Sequence, residues 1–89
     1  MPRFIAIHTI PGLTEQKFKE TFQGVKNWRP DARTTITKAY CSLAQGKVVT
    51  ECEAVEQAHF EEWIKKVGWP VDAIIKLDLI QQGSNNWKL

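Results

Sequence analysis

His8, Tyr40 and Glu51 are the side chains whose types could do chemistry together in this chain. An imidazole titrates near neutral pH and can move a proton or ligate a metal. A carboxylate and a phenol beside it would orient the ring, bind a polar ligand or complete a metal shell. His8 follows the apolar run Phe4-Ile5-Ala6-Ile7 and stands just ahead of Pro11-Gly12, a pair that breaks regular structure. That places it at the rim of whatever sheet the run joins. The expected ligand-binding set is therefore His8, Tyr40 and Glu51, with Glu53 close by. The parity of His8, shared with Phe4 and Ala6, leaves its face open, and a hydrogen-bonded structural histidine is the competing expectation. His59, near Glu56 and Glu62, reads as a solvated helix residue.

Other chemistries are excluded by missing residues. Cys41 and Cys52 lie eleven positions apart with no C-x-x-C, the wrong spacing for an iron–sulfur ferredoxin or a metallochaperone. Both are expected as buried, unbridged thiols. Glu51 and Cys52 cannot share a site, because successive strand residues face opposite ways. No Gly-rich phosphate loop, H-E-x-x-H or G-x-S-x-G occurs, and no cofactor is expected. Twelve basic residues against ten acidic ones give a net charge of only +2, with no basic block. The run Val48-Val49-Thr50-Glu51-Cys52-Glu53 has no aromatic for stacking bases and two carboxylates that repel phosphate, so nucleic acid is not an expected partner. No apolar run approaches the roughly 18 residues of a membrane span. With no export signal at Met1-Pro2-Arg3, a cytoplasmic location is expected.

These residues need elements to hold them. A strand is expected over Arg3–Ile10, apolar on both faces and so central. Thr14 is a good N-cap for a helix from about Glu15 to Lys26, with Leu13 able to pack on Phe18, and Phe18, Phe22 and Val25 as its stripe. Strands follow over Thr34–Leu43 and Val48–Ala54, joined by a two-residue turn, either Gln45-Gly46 or Gly46-Lys47. Simple alternation puts Ala39, Cys41 and Leu43 with Val48, Thr50 and Cys52 on one face. It puts Ile36, Lys38 and Tyr40 with Val49, Glu51 and Glu53 on the other. In that register the two cysteines are direct or diagonal cross-strand neighbours. A second helix spans Glu56–Val67, with Phe60, Trp63, Ile64 and Val67 inward, and is closed by Gly68 and Pro70. The last strand, Ala73–Ile80, is expected with Ala73, Ile75, Leu77 and Leu79 inward. Trp28 and Trp69 flank helix ends and would cover the edges of the core.

The order β-α-β-β-α-β, with right-handed crossovers, spells an α+β ferredoxin-like plait: a four-stranded antiparallel sheet with two helices on one face. One domain is expected over residues 1–80, followed by a loose polar tail over 81–89. The uncovered face would carry Ile36, Tyr40, Val49, Ile74 and Ile80 among charges. That face is too apolar for open solvent, so a homodimer is expected, with a polar pocket left between the sheets.

Phe4-Ile5-Ala6-Ile7-His8-Thr9, Glu51-Cys52-Glu53 and Glu61-Glu62-Trp63-Ile64 together resemble a family of small uncharacterised bacterial proteins with dimeric ferredoxin-like folds. The chain is also loosely similar to a related family in which some members bind nickel. Those relatives carry a histidine at the end of strand one, which His8 matches, and histidines in the second helix, where this chain has Trp63 and Val67. The resemblance implies a dimer, and the wider group includes cofactor-independent monooxygenases and isomerases. The leading expectation is a homodimer binding a small molecule, or a metal ion, on the open sheet face. One alternative is a cofactor-independent isomerase or monooxygenase with His8 as proton shuttle. The other is an interaction module with no ligand.

Overall fold

The computed structural model describes residues 1–23 and 32–88. In chain order the elements are β1 (Arg3–Thr9), α1 (Glu15–Thr21), β2 (Thr34–Ser42), β3 (Lys47–Ala54), α2 (Gln57–Val67), β4 (Ala73–Lys76), β5 (Leu79–Gln82) and β6 (Asn85–Lys88). The first four strands to be named alongside helices form one antiparallel sheet in the order β2-β3-β1-β4, and β5 and β6 form a separate two-stranded ribbon. The class is α+β.

Strand β1 sits inside the sheet and sets its two faces. Its even residues Phe4, Ala6 and His8 are buried, whereas Ile5 and Ile7 are only half-buried. The buried side joins Ile36, Cys52 and Ala54 to Phe60, Trp63 and Ile64 of α2, with Phe22, Val67 and Ile74 packed at the margin. Helix α2 forms as its stripe requires, and Gly68 closes it by donating its N–H to the carbonyls of Ile64 and Lys65. Thr14 caps α1, its Oγ1 accepting from the N–H of Lys17 at 3.2 Å. The helix reaches its cap at Phe22, and the expected continuation through Val25 and Lys26, like Trp28, lies outside the described residues.

Three expectations fail, each for a local reason. The β2–β3 connection is a four-residue loop, Leu43 to Gly46, because Ser42 pairs with Lys47. Gly46 takes φ 63°, and a Cβ there would meet the Ile10 carbonyl oxygen at 3.0 Å, so the loop closes on a position that only glycine fits. In this register Cys41 faces Val48, not Cys52, and it is exposed, because the helices cover only the first part of edge strand β2. Further along, the register slips at Thr37: Ile36 faces Cys52 while Lys38 faces Glu51. One extra residue in a strand reverses the faces on either side of it. Ile36 therefore enters the core at 2 % exposure, whereas Lys38 and Tyr40 stay on the uncovered side.

The last strand is also different. Ile74 faces Ala6 and packs toward the core, while Ile75 faces Ile5 and is 44 % exposed, the reverse of the expected assignment. Backbone bonds from Asp72 N–H to the Ile7 carbonyl and from Leu77 N–H to the Arg3 carbonyl pin that register. The strand stops at Lys76, so Ile80 does not belong to the main sheet. Residues 81–88, expected as part of a loose tail, join Leu79 and Ile80 in β5 and β6 around Gly83-Ser84. Gly83 has φ 61° and Ser84 does not have positive φ, which gives the two-residue turn with glycine first that suits a hairpin.

Candidate functional site

The structure separates the residues that the sequence put together. His8 lies on the helix-covered face, fully buried, while Tyr40 and Glu51 lie on the uncovered face. His8 Nδ1 is 2.8 Å from the Pro70 carbonyl oxygen, which can only accept, so Nδ1 carries the proton. Nε2 is then the acceptor for the Thr50 hydroxyl at 2.9 Å. Both ring nitrogens are thus engaged, and Trp69 meets the imidazole in a T-shaped contact with centroids 5.2 Å apart. Burial pushes the His8 pKa below its ordinary value, against the opposing pull of the Pro70 hydrogen bond and the Asp72 charge. At neutral pH the ring is uncharged. Its geometry is that of a strut between β1, β3 and the segment after α2.

Trp69 is the centre of that strut. Besides His8 it meets Phe18, Phe22 and Trp63, at centroid distances of 6.4, 5.6 and 6.4 Å. The pairing of Trp69 with His8 was not foreseen from sequence, since nothing local links positions 8 and 69. At the same rim, Lys47 Nζ donates to Thr9 Oγ1 at 2.6 Å and Thr9 Oγ1 donates to Asp72 Oδ2 at 2.5 Å. This clamp ties the end of β1, the start of β3 and the approach to β4 on the solvent side.

The uncovered face has a different character. Ile5, Ile7 and Val49 are half-buried at its middle, with Ile75 and Tyr40, 44 % and 56 % exposed, to either side. Arg3 Nη2 donates to Glu53 Oε1 at 2.7 Å, and Nη1 lies 3.7 Å from Glu51 Oε1. Tyr40 faces Val49, which makes it the diagonal neighbour of Glu51 across the ladder. Its hydroxyl has no hydrogen-bond partner among the described residues. Tyr40 and Glu51 can therefore contact one small ligand, and His8 cannot join them through the sheet. Two adjoining hollows, about 330 and 260 Å³, lie elsewhere, between α2 and the segment leading into β4.

Among the described residues no group of three or more His, Cys, Asp or Glu side chains is placed to hold a metal ion. Burial, reinforced by Glu51 and Glu53, pushes the Cys52 thiol up to about 12 against a lowering backbone hydrogen bond from Phe4. Such a thiol is neither nucleophile nor ligand at neutral pH. No helix among the described residues is long and apolar enough to cross a membrane.

No protein-family model matches the chain, and no curated protein matches it. Its fold is similar to the crystal structure of SCO4226 from Streptomyces coelicolor A3(2), with a TM-score of 0.76 and 18 % sequence identity, covering 89 % of this chain and 99 % of that one. At that identity the likeness establishes a shared fold.

Proposed function

We propose that the chain is a cytoplasmic homodimeric protein on a ferredoxin-like plait, whose uncovered sheet faces close on each other and hold a small molecule beside Tyr40 and Glu51. The plait reading is supported by the strand order β2-β3-β1-β4, with one helix between β1 and β2 and another between β3 and β4. The cytoplasmic reading is supported by two unbridged thiols. The observation that carries the proposal is the composition of the uncovered face. Ile5, Ile7 and Val49 form an apolar middle that Ile75 extends to the β4 edge, while the unpartnered phenol of Tyr40 and the Arg3–Glu51–Glu53 network give polar contacts at its flank. An apolar patch rimmed by polar groups marks an interaction surface. A two-fold dimer would bring two such faces together. His8 takes no direct part and supports the fold behind the face.

Sedimentation equilibrium at micromolar concentration tests the assembly. The expected species has twice the chain mass of 10.2 kDa, and Val49→Lys, which places a charge in the apolar middle, should return it to the monomer. A wild-type monomer would overturn the reading. For the ligand, a thermal-shift screen of small polar metabolites should give hits that are lost in Tyr40→Phe and Glu51→Gln. Hits that survive both substitutions would place the ligand elsewhere.

A further inference from the structure

Strand β4 ends the main sheet, and its outer side has no neighbour among the described residues. Leu77 donates its N–H to Arg3 in a register where Phe4 faces Lys76 and Ile5 faces Ile75. Alternation along an antiparallel ladder then turns the N–H and C=O of Ile74 and Lys76 outward. Alongside that edge runs the groove formed by the two hollows under α2. Ile64, Trp69, Val71 and Ile74 give it an apolar floor, and Glu61 and Lys65 lie on its wall. An unpaired strand edge beside an apolar groove accepts an added strand: backbone bonds supply affinity and the groove takes a side chain.

The same chain presents a strand with nothing to pack on. Among the described residues the β5–β6 hairpin pairs only with itself, and it leaves Leu79 65 % exposed. A lone two-stranded hairpin is marginal in water unless it packs against something. It cannot fold back tightly on its own β4, because the Leu77-Asp78 connection has no glycine and neither residue has positive φ. A second copy has no such restriction. The hairpin register sets Lys88 across from Leu79, so the end that brings an apolar side chain to the groove floor brings a cation toward Glu61.

We infer that in the homodimer each β5–β6 hairpin adds to the β4 edge of the other copy and seats Leu79 in the groove beneath α2. This rests on the dimer proposed above and adds where the arms lie. Exchange of identical arms is isologous and closes with two copies.

Amide hydrogen exchange and sedimentation on the full chain test it together. In the wild-type dimer the amides of Ile74 and Lys76 should be protected, and dilution to monomer should release them. Leu79→Asp, at an exposed position that the fold tolerates, should abolish that protection. It should also raise the dimer dissociation constant by about tenfold or more, the scale of one lost aliphatic contact. Glu61→Lys and Lys88→Glu should each weaken the dimer, and together they should restore it. A dimer with fast exchange at both amides and unchanged affinity in Leu79→Asp would overturn the arm exchange and leave the dimer standing. Protection that persists in the monomer would show the arm seated on its own chain and overturn the exchange likewise. A wild-type monomer at every concentration would remove the dimer itself.

Discussion

Replacing His8 by alanine should cost stability, and the structure gives the size. The Thr50 side chain is fully buried, and its hydroxyl spends its hydrogen bond on His8 Nε2. Stranding that hydroxyl costs about 1–3 kcal/mol. The edge-on contact with Trp69 contributes about 0.5–1.5 kcal/mol more. Pro70 is exposed, so its carbonyl can turn to water and adds little. His8→Ala should therefore lose about 2–4 kcal/mol, a shift in Tm of roughly 10–20 °C for a domain this small. Urea melts provide the measurement, with a lower midpoint at unchanged m-value. The pair His8→Leu with Thr50→Val removes donor and acceptor together and should cost clearly less than His8→Leu alone, because no polar group is left stranded. A loss under about 1 kcal/mol for His8→Ala, or a double variant as costly as the sum of its singles, would refute the strut.

Two further outcomes follow from titrating groups. Because burial holds the His8 pKa below 6.5 in the native state, the unfolded chain binds more protons below that value. The contribution of neutral His8 is then complete above about pH 6.5 and is lost as pH falls toward its lowered native pKa, so urea midpoints should drop between pH 7.5 and 5.5 in wild type and less in His8→Leu. For the thiols, a disulfide reagent at pH 8 should label exposed Cys41 at once and buried Cys52 only on unfolding. Immediate labelling of both would show Cys52 open to solvent.

The parts legible from sequence were those that local patterns control. Thr14 as a cap, the stripe Phe60-Trp63-Ile64 and the stop at Gly68 are each written within one turn or two of helix. The faces of the strands were not, because they depend on where alternation is interrupted. Thr37 is as good a strand residue as its neighbours, so nothing in its type marks the slip beside it. Ile74 and Ile75 are identical in kind, and only pairing with Ala6 and Ile5 decides which goes inward. The candidate site failed for the same reason: His8 has its partners 42 and 62 positions away, beyond any local signal. Gln81-Gln82 and Asn85-Asn86 are poor strand formers, and the glycine at 83 was the one local sign that a hairpin lay in the polar end.

The slip at Thr37 also bears on how copies of this chain meet. Without that residue, Ile36 opposite Cys52 and Lys38 opposite Glu51 would be consecutive pairs of an uninterrupted ladder, and β2 would offer other chains a straight outer rail. A bulge bends and twists such a rail out of shape for strand-to-strand stacking. The sheet thereby has polarity in its sociability: one flank is warped against contact, and the opposite flank, along β4, stays straight and short. A sheet with one open flank can pair once through it, whereas two open flanks would let fibres propagate.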